Sequence, residues 1–123
     1  MKTKALLQSY LDQGVQRVVV TAPVKEEGVL NVVMGVNQHL YDPAIHPIVT
    51  AASCTTNCAA PVCKVLNDAL GIEYANMTTI HAATGDQPTV DSRHHSSMRR
   101  SRAAALSMIP TTTGAGRTMC EII

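Results

Sequence analysis

Apolar and polar residues alternate along this chain in a pattern that changes period several times. Near the start, Leu7, Tyr10 and Leu11 fall at helical spacing and Gly14 supplies a stop, which predicts a helix over about 4–13. Positions 16–21 form a short β-branched run closed by Ala22-Pro23, the pattern of a buried strand. Two further short strands are predicted at 29–36 and 48–51, separated by Tyr41-Asp42-Pro43 and His46-Pro47. A helix followed directly by an apolar strand points to an α/β layer with a mainly parallel sheet.

From Cys54 to Leu70 the period becomes 3.6, with Cys58, Val62, Val65, Leu66 and Ala69 on one stripe and Gly71 just past the C-cap. Pro61 lies inside this helix and predicts either a kink or an irregular first turn. Positions 72–81 read as a strand with Met77, Thr79 and His81 on one face. Stretch 84–102 has no period and predicts a long irregular loop. A short helix over 103–109 is closed by Pro110, and 111–116 forms a tight polar turn. The apolar residues at 121–123 look like the start of another strand or helix.

Composition narrows this picture. The 123 residues fit one ordinary domain, and 46% apolar with 15% charged content is a globular balance rather than a disordered one. Three Tyr with no Phe or Trp leave the core to Ala, Val, Ile, Leu and Met, and leave no rings for base stacking. Ten basic against nine acidic residues give +1, too little for general attraction to nucleic acid or anionic lipid. No apolar run approaches the roughly 18–20 residues of a membrane span, so a cytoplasmic protein without membrane or nucleic-acid partners is expected.

The candidate chemistry centres on Ala52-Ser53-Cys54-Thr55-Thr56-Asn57-Cys58. Ser53 is an N-cap residue by type, which puts Cys54 at the first helical position. There the thiolate meets the positive end of the helix and unpaired N–H groups, which also suit a developing oxyanion. The plain alternative is that Cys54 is one more small buried residue one turn before Cys58. A helix over 54–70 travels about 25 Å and a returning strand over 73–81 about 30 Å, so antiparallel packing would bring His81 to Cys54. That is a cysteine–histidine pair for covalent catalysis. The other histidines, His39, His46, His94 and His95, lie in loop-like segments and read as solvent-exposed.

Cys54, Cys58, Cys63 and Cys120 read as reduced thiols. A zinc site from the first three with His81 lacks the knuckle turn of zinc ribbons, so no metal is expected. The arginines Arg93, Arg99, Arg100 and Arg102 with the nearby threonines suit the phosphate of a small substrate better than nucleic acid.

The segment from Ala52 to Cys58 resembles the active-site signature of phosphorylating glyceraldehyde-3-phosphate dehydrogenases. Thr21-Ala22-Pro23, Met34-Gly35-Val36-Asn37, Tyr41-Asp42-Pro43, Thr78-Thr79-Ile80-His81 and the 109–114 segment resemble further motifs of that family, in the family's order. The resemblance covers essentially the whole chain. It implies the end of a Rossmann-type nucleotide-binding domain (1–53) joined to the first part of a mixed-sheet catalytic domain (54–123), an α/β and α+β combination. The family's Gly-rich dinucleotide fingerprint has no counterpart here, so the chain reads as an internal piece, with negligible NAD affinity expected of it alone.

The resemblance also implies roles. Cys54 is the nucleophile and His81 its base, with NAD (or NADP) as hydride acceptor and a thioester cleaved by inorganic phosphate. Ser53, Thr55, Thr113 and Gly114 match inorganic-phosphate and substrate contacts; Thr84, with Asp86 beside it, matches the contact to the substrate's own phosphate. Arg100 matches an arginine of the phosphate sites, and Thr21 the hydroxyl residue by the nicotinamide. Partners implied are a phosphorylated aldehyde, inorganic phosphate and further copies in a tetramer. An erythrose-4-phosphate or arsenate-linked paralogue, a non-catalytic fragment acting through oligomer contacts, and a thiol-redox or zinc protein stand as the rival readings.

Overall fold

The computed structural model describes residues 3–88, 92–101 and 108–123. The chain divides into two compact units, one of Met1–Ala75 with Ala115–Ile123 and the other of Asn76–Gly114.

The first unit is built on a small parallel sheet. Helix α1 (Lys4–Asp12) leads into β1 (Val18–Val20), followed by β2 (Leu30–Asn31) and β3 (Ile48–Thr50), in spatial order β1-β3-β2. Val18 pairs with Ile48 and Val20 with Thr50, while Asn31 pairs with Thr50 from the other side. Both pairings are parallel, as the helix-then-strand pattern predicts. The ladder extends beyond the strands through Val32 N–H to the Thr50 carbonyl (2.8 Å) and Ala51 N–H to the Val20 carbonyl (2.9 Å).

One face of this sheet is covered. Leu7 of α1 packs with Val24, Val29 and Ile48, and Leu11, Val18 and Val20 close the cluster. Each such aliphatic side chain contributes about 1.5–3 kcal/mol by leaving water. The other face of β1 is open, with Val19 69% exposed, so the strand expected to be buried is half-buried on one side only.

A second cluster joins Val33, Val36, Ala52, Ala60 and Ile122, with Met119 against it. It belongs to helix α2 (Cys54–Leu70), to helix α3 (Ala115–Ile122) and to the turn after β2. The described core is thus aliphatic, as the absence of Phe and Trp requires.

Several expected elements differ. The strand expected over 29–36 stops at Asn31, because the backbone turns at Val33: Val36 and Asn37 N–H both donate to its carbonyl, and the Asn37 side chain takes the Val33 N–H at 2.8 Å. The strand expected over 72–81 does not form. No described strand offers it a ladder, and its residues stand exposed, Ile80 at 86%. The 111–116 turn is shorter than expected, since α3 already begins at Ala115. The helix expected over 103–109 falls mostly on 103–107, outside the described residues.

Helix α2 keeps its expected bounds, but not its expected buried face. It runs regularly from Cys54 through Pro61 to Gly71, whose φ of 72° suits glycine at the cap. The buried positions are Thr56 and Ala60, whereas Cys58, Val62, Val65, Leu66 and Ala69 are exposed. Small side chains let the start of α2 approach the Val33–Val36 turn closely, and periodicity alone does not say which stripe a neighbour covers.

Candidate active site

Thr21 and Cys54 leave the sheet from the same end. In a parallel sheet all carboxyl ends lie together, and Val20 and Thr50 are register partners. The segments that follow them, Thr21 after β1 and Ala51-Ala52-Ser53-Cys54 after β3, therefore emerge side by side, and the Ala51–Val20 hydrogen bond ties them. The carboxyl edge of an open α/β sheet is where ligands bind in such folds.

Between β3 and α2 the chain makes one unusual bend. Ala52 has φ of 54°, the left-handed region that L-residues seldom occupy. Two contacts hold it there: its N–H donates to Thr50 Oγ1 at 3.0 Å, and its methyl group is buried among Val33, Val36, Ala60 and Ile122. Thr50 is itself fully buried, donating to Asn31 Oδ1 at 2.5 Å. Asn37 braces the same region by donating to the Asn31 carbonyl at 2.9 Å. The buried Thr50 and Asn37 side chains are thus satisfied beneath the bend, Thr50 by the Asn31 side chain and Asn37 by backbone groups of Asn31 and Val33.

Past the bend, Ser53 caps α2 as its residue type predicts. Its Oγ accepts the Thr56 N–H at 3.1 Å and lies 2.7 Å from the Thr56 hydroxyl. Cys54 is the first residue of the helix and is exposed, so the alternative of a buried structural cysteine does not hold. The side-chain amide of Asn57 donates to the carbonyls of Ala51 (2.6 Å) and Ser53 (2.9 Å), bracketing Cys54's entry into the helix. Thr55 is half-buried in the same first turn.

The remaining expected site residues lie in the second unit. His81 is exposed, with Nδ1 2.6 Å from the Ala82 carbonyl. The return strand that was to carry it toward Cys54 is not formed. Thr84 and Asp86 come together in a turn: Gln87 N–H donates to the Thr84 carbonyl at 2.9 Å, and Asp86 N–H faces the Thr84 hydroxyl at 3.4 Å. Asp86 forms an ion pair with Arg100 Nη1, and Arg100 also donates to Thr111 Oγ1 and to the Thr112 carbonyl, each at 3.0 Å. Thr113 and Gly114 follow directly, both exposed.

His94 overturns its expectation as a solvent-exposed loop histidine. It is buried, its Nδ1 accepts the N–H groups of Ser96 (3.1 Å) and Ser97 (3.0 Å), and its Nε2 lies 3.6 Å from Asp86 Oδ2. Partial burial works to raise the Asp86 pKa. The hydrogen bond and charge of Arg100, with the nearby His94, outweigh it and hold the carboxyl below its ordinary 3.8.

None of the four cysteines is joined in a disulfide, and among the described residues no three His, Cys, Asp or Glu side chains gather to hold a metal. No helix among them is long and apolar enough to cross a membrane.

Sequence reasoning missed three contributors: Asn57, the Thr50–Asn31–Asn37 network and His94. Asn37 carried a legible signal, a turn-favouring residue four places after Val33 in an apolar run. Asn57 acts on nearby carbonyls and His94 accepts from nearby N–H groups, but no residue pattern marks either, and the Thr50–Asn31 contact joins residues nineteen apart.

Residues 53–123 match the family model of the glyceraldehyde 3-phosphate dehydrogenase C-terminal domain. The chain is 54% identical over 121 residues to glyceraldehyde-3-phosphate dehydrogenase 3 of Nostoc sp., covering 98% of this chain and 35% of that protein. It is 47% identical to the glyceraldehyde-3-phosphate dehydrogenases of Geobacillus stearothermophilus (93% of this chain, 33% of that one) and Streptomyces coelicolor (98% and 35%). The chain spans about a third of the length of these relatives.

Proposed function

The chain belongs to the glyceraldehyde-3-phosphate dehydrogenase family, and from that premise we propose that the intact protein oxidises a phosphorylated aldehyde to an acyl phosphate in glycolysis. The observation that carries this reading is an exposed cysteine at the first position of a Ser-capped helix, on the carboxyl edge of a parallel sheet. The segment 1–53 then closes a nucleotide-binding domain and 54–123 opens the catalytic one; the family match beginning at residue 53 supports that division.

In this reading the Cys54 thiolate adds to the aldehyde carbon, and its oxygen takes a proton from His81 to give a hemithioacetal. His81 recovers that proton as the hydride leaves the same carbon, which leaves a thioester on Cys54. The N–H groups at the start of α2 other than that of Thr56, which Ser53 takes, would stabilise the oxygen that gathers charge in the first step. Inorganic phosphate then attacks the thioester carbon, forming the acyl phosphate and releasing the Cys54 thiolate. NAD supplies the hydride acceptor when bound. Thr21, leaving the sheet beside the Cys54 segment, suits a nicotinamide contact.

Ser53, Thr55, Thr113, Gly114 and Arg100 would hold inorganic phosphate and substrate, and Thr84 with Asp86 would face the substrate's own phosphate. A cytoplasmic homotetramer is the assembly this reading implies. The test is an assay of the intact protein for NADH formation from glyceraldehyde 3-phosphate, NAD and inorganic phosphate. Turnover dependent on phosphate and abolished by Cys54→Ser is expected; Cys54→Ser retaining wild-type turnover would overturn the assignment.

A further inference from the structure

We propose that Asp86 is a positioning residue that passes its carboxylate from Arg100 to His94 when a small oxyanion takes Arg100, a step that rests on the reading of Arg100 as a phosphate contact.

Arg100 is already engaged at all three guanidinium nitrogens. Nε donates to Thr111 Oγ1, Nη2 to the Thr112 carbonyl and Nη1 to Asp86. The first two contacts fix the guanidinium plane against the 111–112 segment. An arriving phosphate oxygen can replace the third without changing its type, since one charge-assisted bond to an anionic oxygen takes the place of another. Room for it is at hand: Arg100 lines an open cleft of about 500 Å³ with His94, Ser97, Arg99 and Thr111.

A carboxylate displaced from Arg100 and pressed by a second anion needs another donor. His94 is already placed to be that donor. Both backbone N–H groups of Ser96 and Ser97 point at its Nδ1, so in the neutral ring the proton sits on Nε2. Only 5% of that side chain is exposed, and among the described residues its Nε2 has no partner within hydrogen-bond distance, Asp86 being the nearest charged neighbour. It stands 3.6 Å from Asp86 Oδ2, so a shift of about 0.6 Å makes an ordinary N–H···O bond. A buried donor without an acceptor is unfavourable, and closing that gap removes the cost. Asp86 is half-exposed and sits in a turn, which leaves its side chain free to make the move.

The experiment is a titration of the ¹⁵N-labelled chain with inorganic phosphate, following Arg100 Nε and His94 Nε2 by NMR. Phosphate is expected to shift Arg100 Nε and, over the same concentration range, to move His94 Nε2–H downfield as it gains an acceptor. Asp86→Asn removes the competing charge, so the phosphate Kd should fall about tenfold while the His94 response disappears. Asp86→Glu should restore that response. A shifted Arg100 with a silent His94 in the wild-type chain overturns the transfer and leaves the phosphate reading standing. An Arg100 signal unmoved by phosphate in both wild type and Asp86→Asn overturns the phosphate reading and the transfer with it.

Discussion

The Asn57 side chain donates a 2.6 Å hydrogen bond to the carbonyl of Ala51, reaching back across Ala52, Ser53 and Cys54. With its second bond, to Ser53, it clamps the chain on both sides of the left-handed bend. Asn57→Ala should therefore destabilise the first unit by about 0.5–1.5 kcal/mol, the worth of two solvent-exposed hydrogen bonds. Urea denaturation measures the loss, and an unchanged midpoint would count against the clamp.

Ser53 supplies the only side-chain cap seen at the start of α2 among the described residues. Replacing it by Ala should cost about 1 kcal/mol, and by Gly only a few tenths. The contrast between the two variants separates capping from the loss of a phosphate contact, which both would share.

Cys54, at the helix start and exposed, should react with iodoacetamide before Cys58, Cys63 or Cys120. Cys58 and Cys120 are exposed too, so accessibility does not account for the difference. Peptide mapping at short times gives the order. Equal labelling at all four thiols would show that the helix start confers no reactivity.

Ala52 combines a φ of 54° with a fully buried methyl group. Ala52→Val should destabilise by about 2 kcal/mol or more, since a β-branched residue resists that φ and its extra methyls crowd Val33, Val36 and Ala60. Ala52→Gly should be close to neutral, because relief of strain offsets the lost methyl contacts. Thermal melts of the two variants report the pair of effects.

Asp86 carries a pH dependence with a definite sign. Its folded-state pKa is lowered below 3.8, with partial burial opposing and the Arg100 and His94 interactions prevailing. The ion pair's contribution is therefore whole above about pH 4–5 and is lost as pH falls through the lowered folded value. Arg100 Nε shifts followed from pH 6 to 2 should show one transition, centred below 3.8 and absent in Asp86→Asn. A transition centred above that value would reverse the sign.

Sequence pattern and structure part company at identifiable residues. Helix α2 was legible because its signals are local: Ser53 caps it, Gly71 ends it, and 3.6 periodicity fills it. Its buried face was not, because what covers a helix depends on the Val33–Val36 turn and α3, far away in the chain. Residues 72–81 alternate like a strand, yet alternation satisfies no N–H group without a neighbouring ladder. His94 sits in an aperiodic stretch with no residue pattern to mark it as buried, and its placement beside Asp86 joins segments eight residues apart.

Taken alone, the sequence determined helices α1 and α2, the three strands between them, the aliphatic core, the capped cysteine and the family signature. Each of these rests on residue type and short-range spacing, which the chain carries wherever it folds. Tertiary structure decided the rest: the strand order β1-β3-β2 that sends Thr21 and Cys54 out together, the left-handed Ala52 braced by Thr50, and the pairing of Asp86 with Arg100 beside a buried His94. The strand order and the Asp86–Arg100 pair join residues distant along the chain, as does the packing of Ala52 on Val33, Val36 and Ile122. Such contacts form only when folding meets the loop-closure cost of bringing them together.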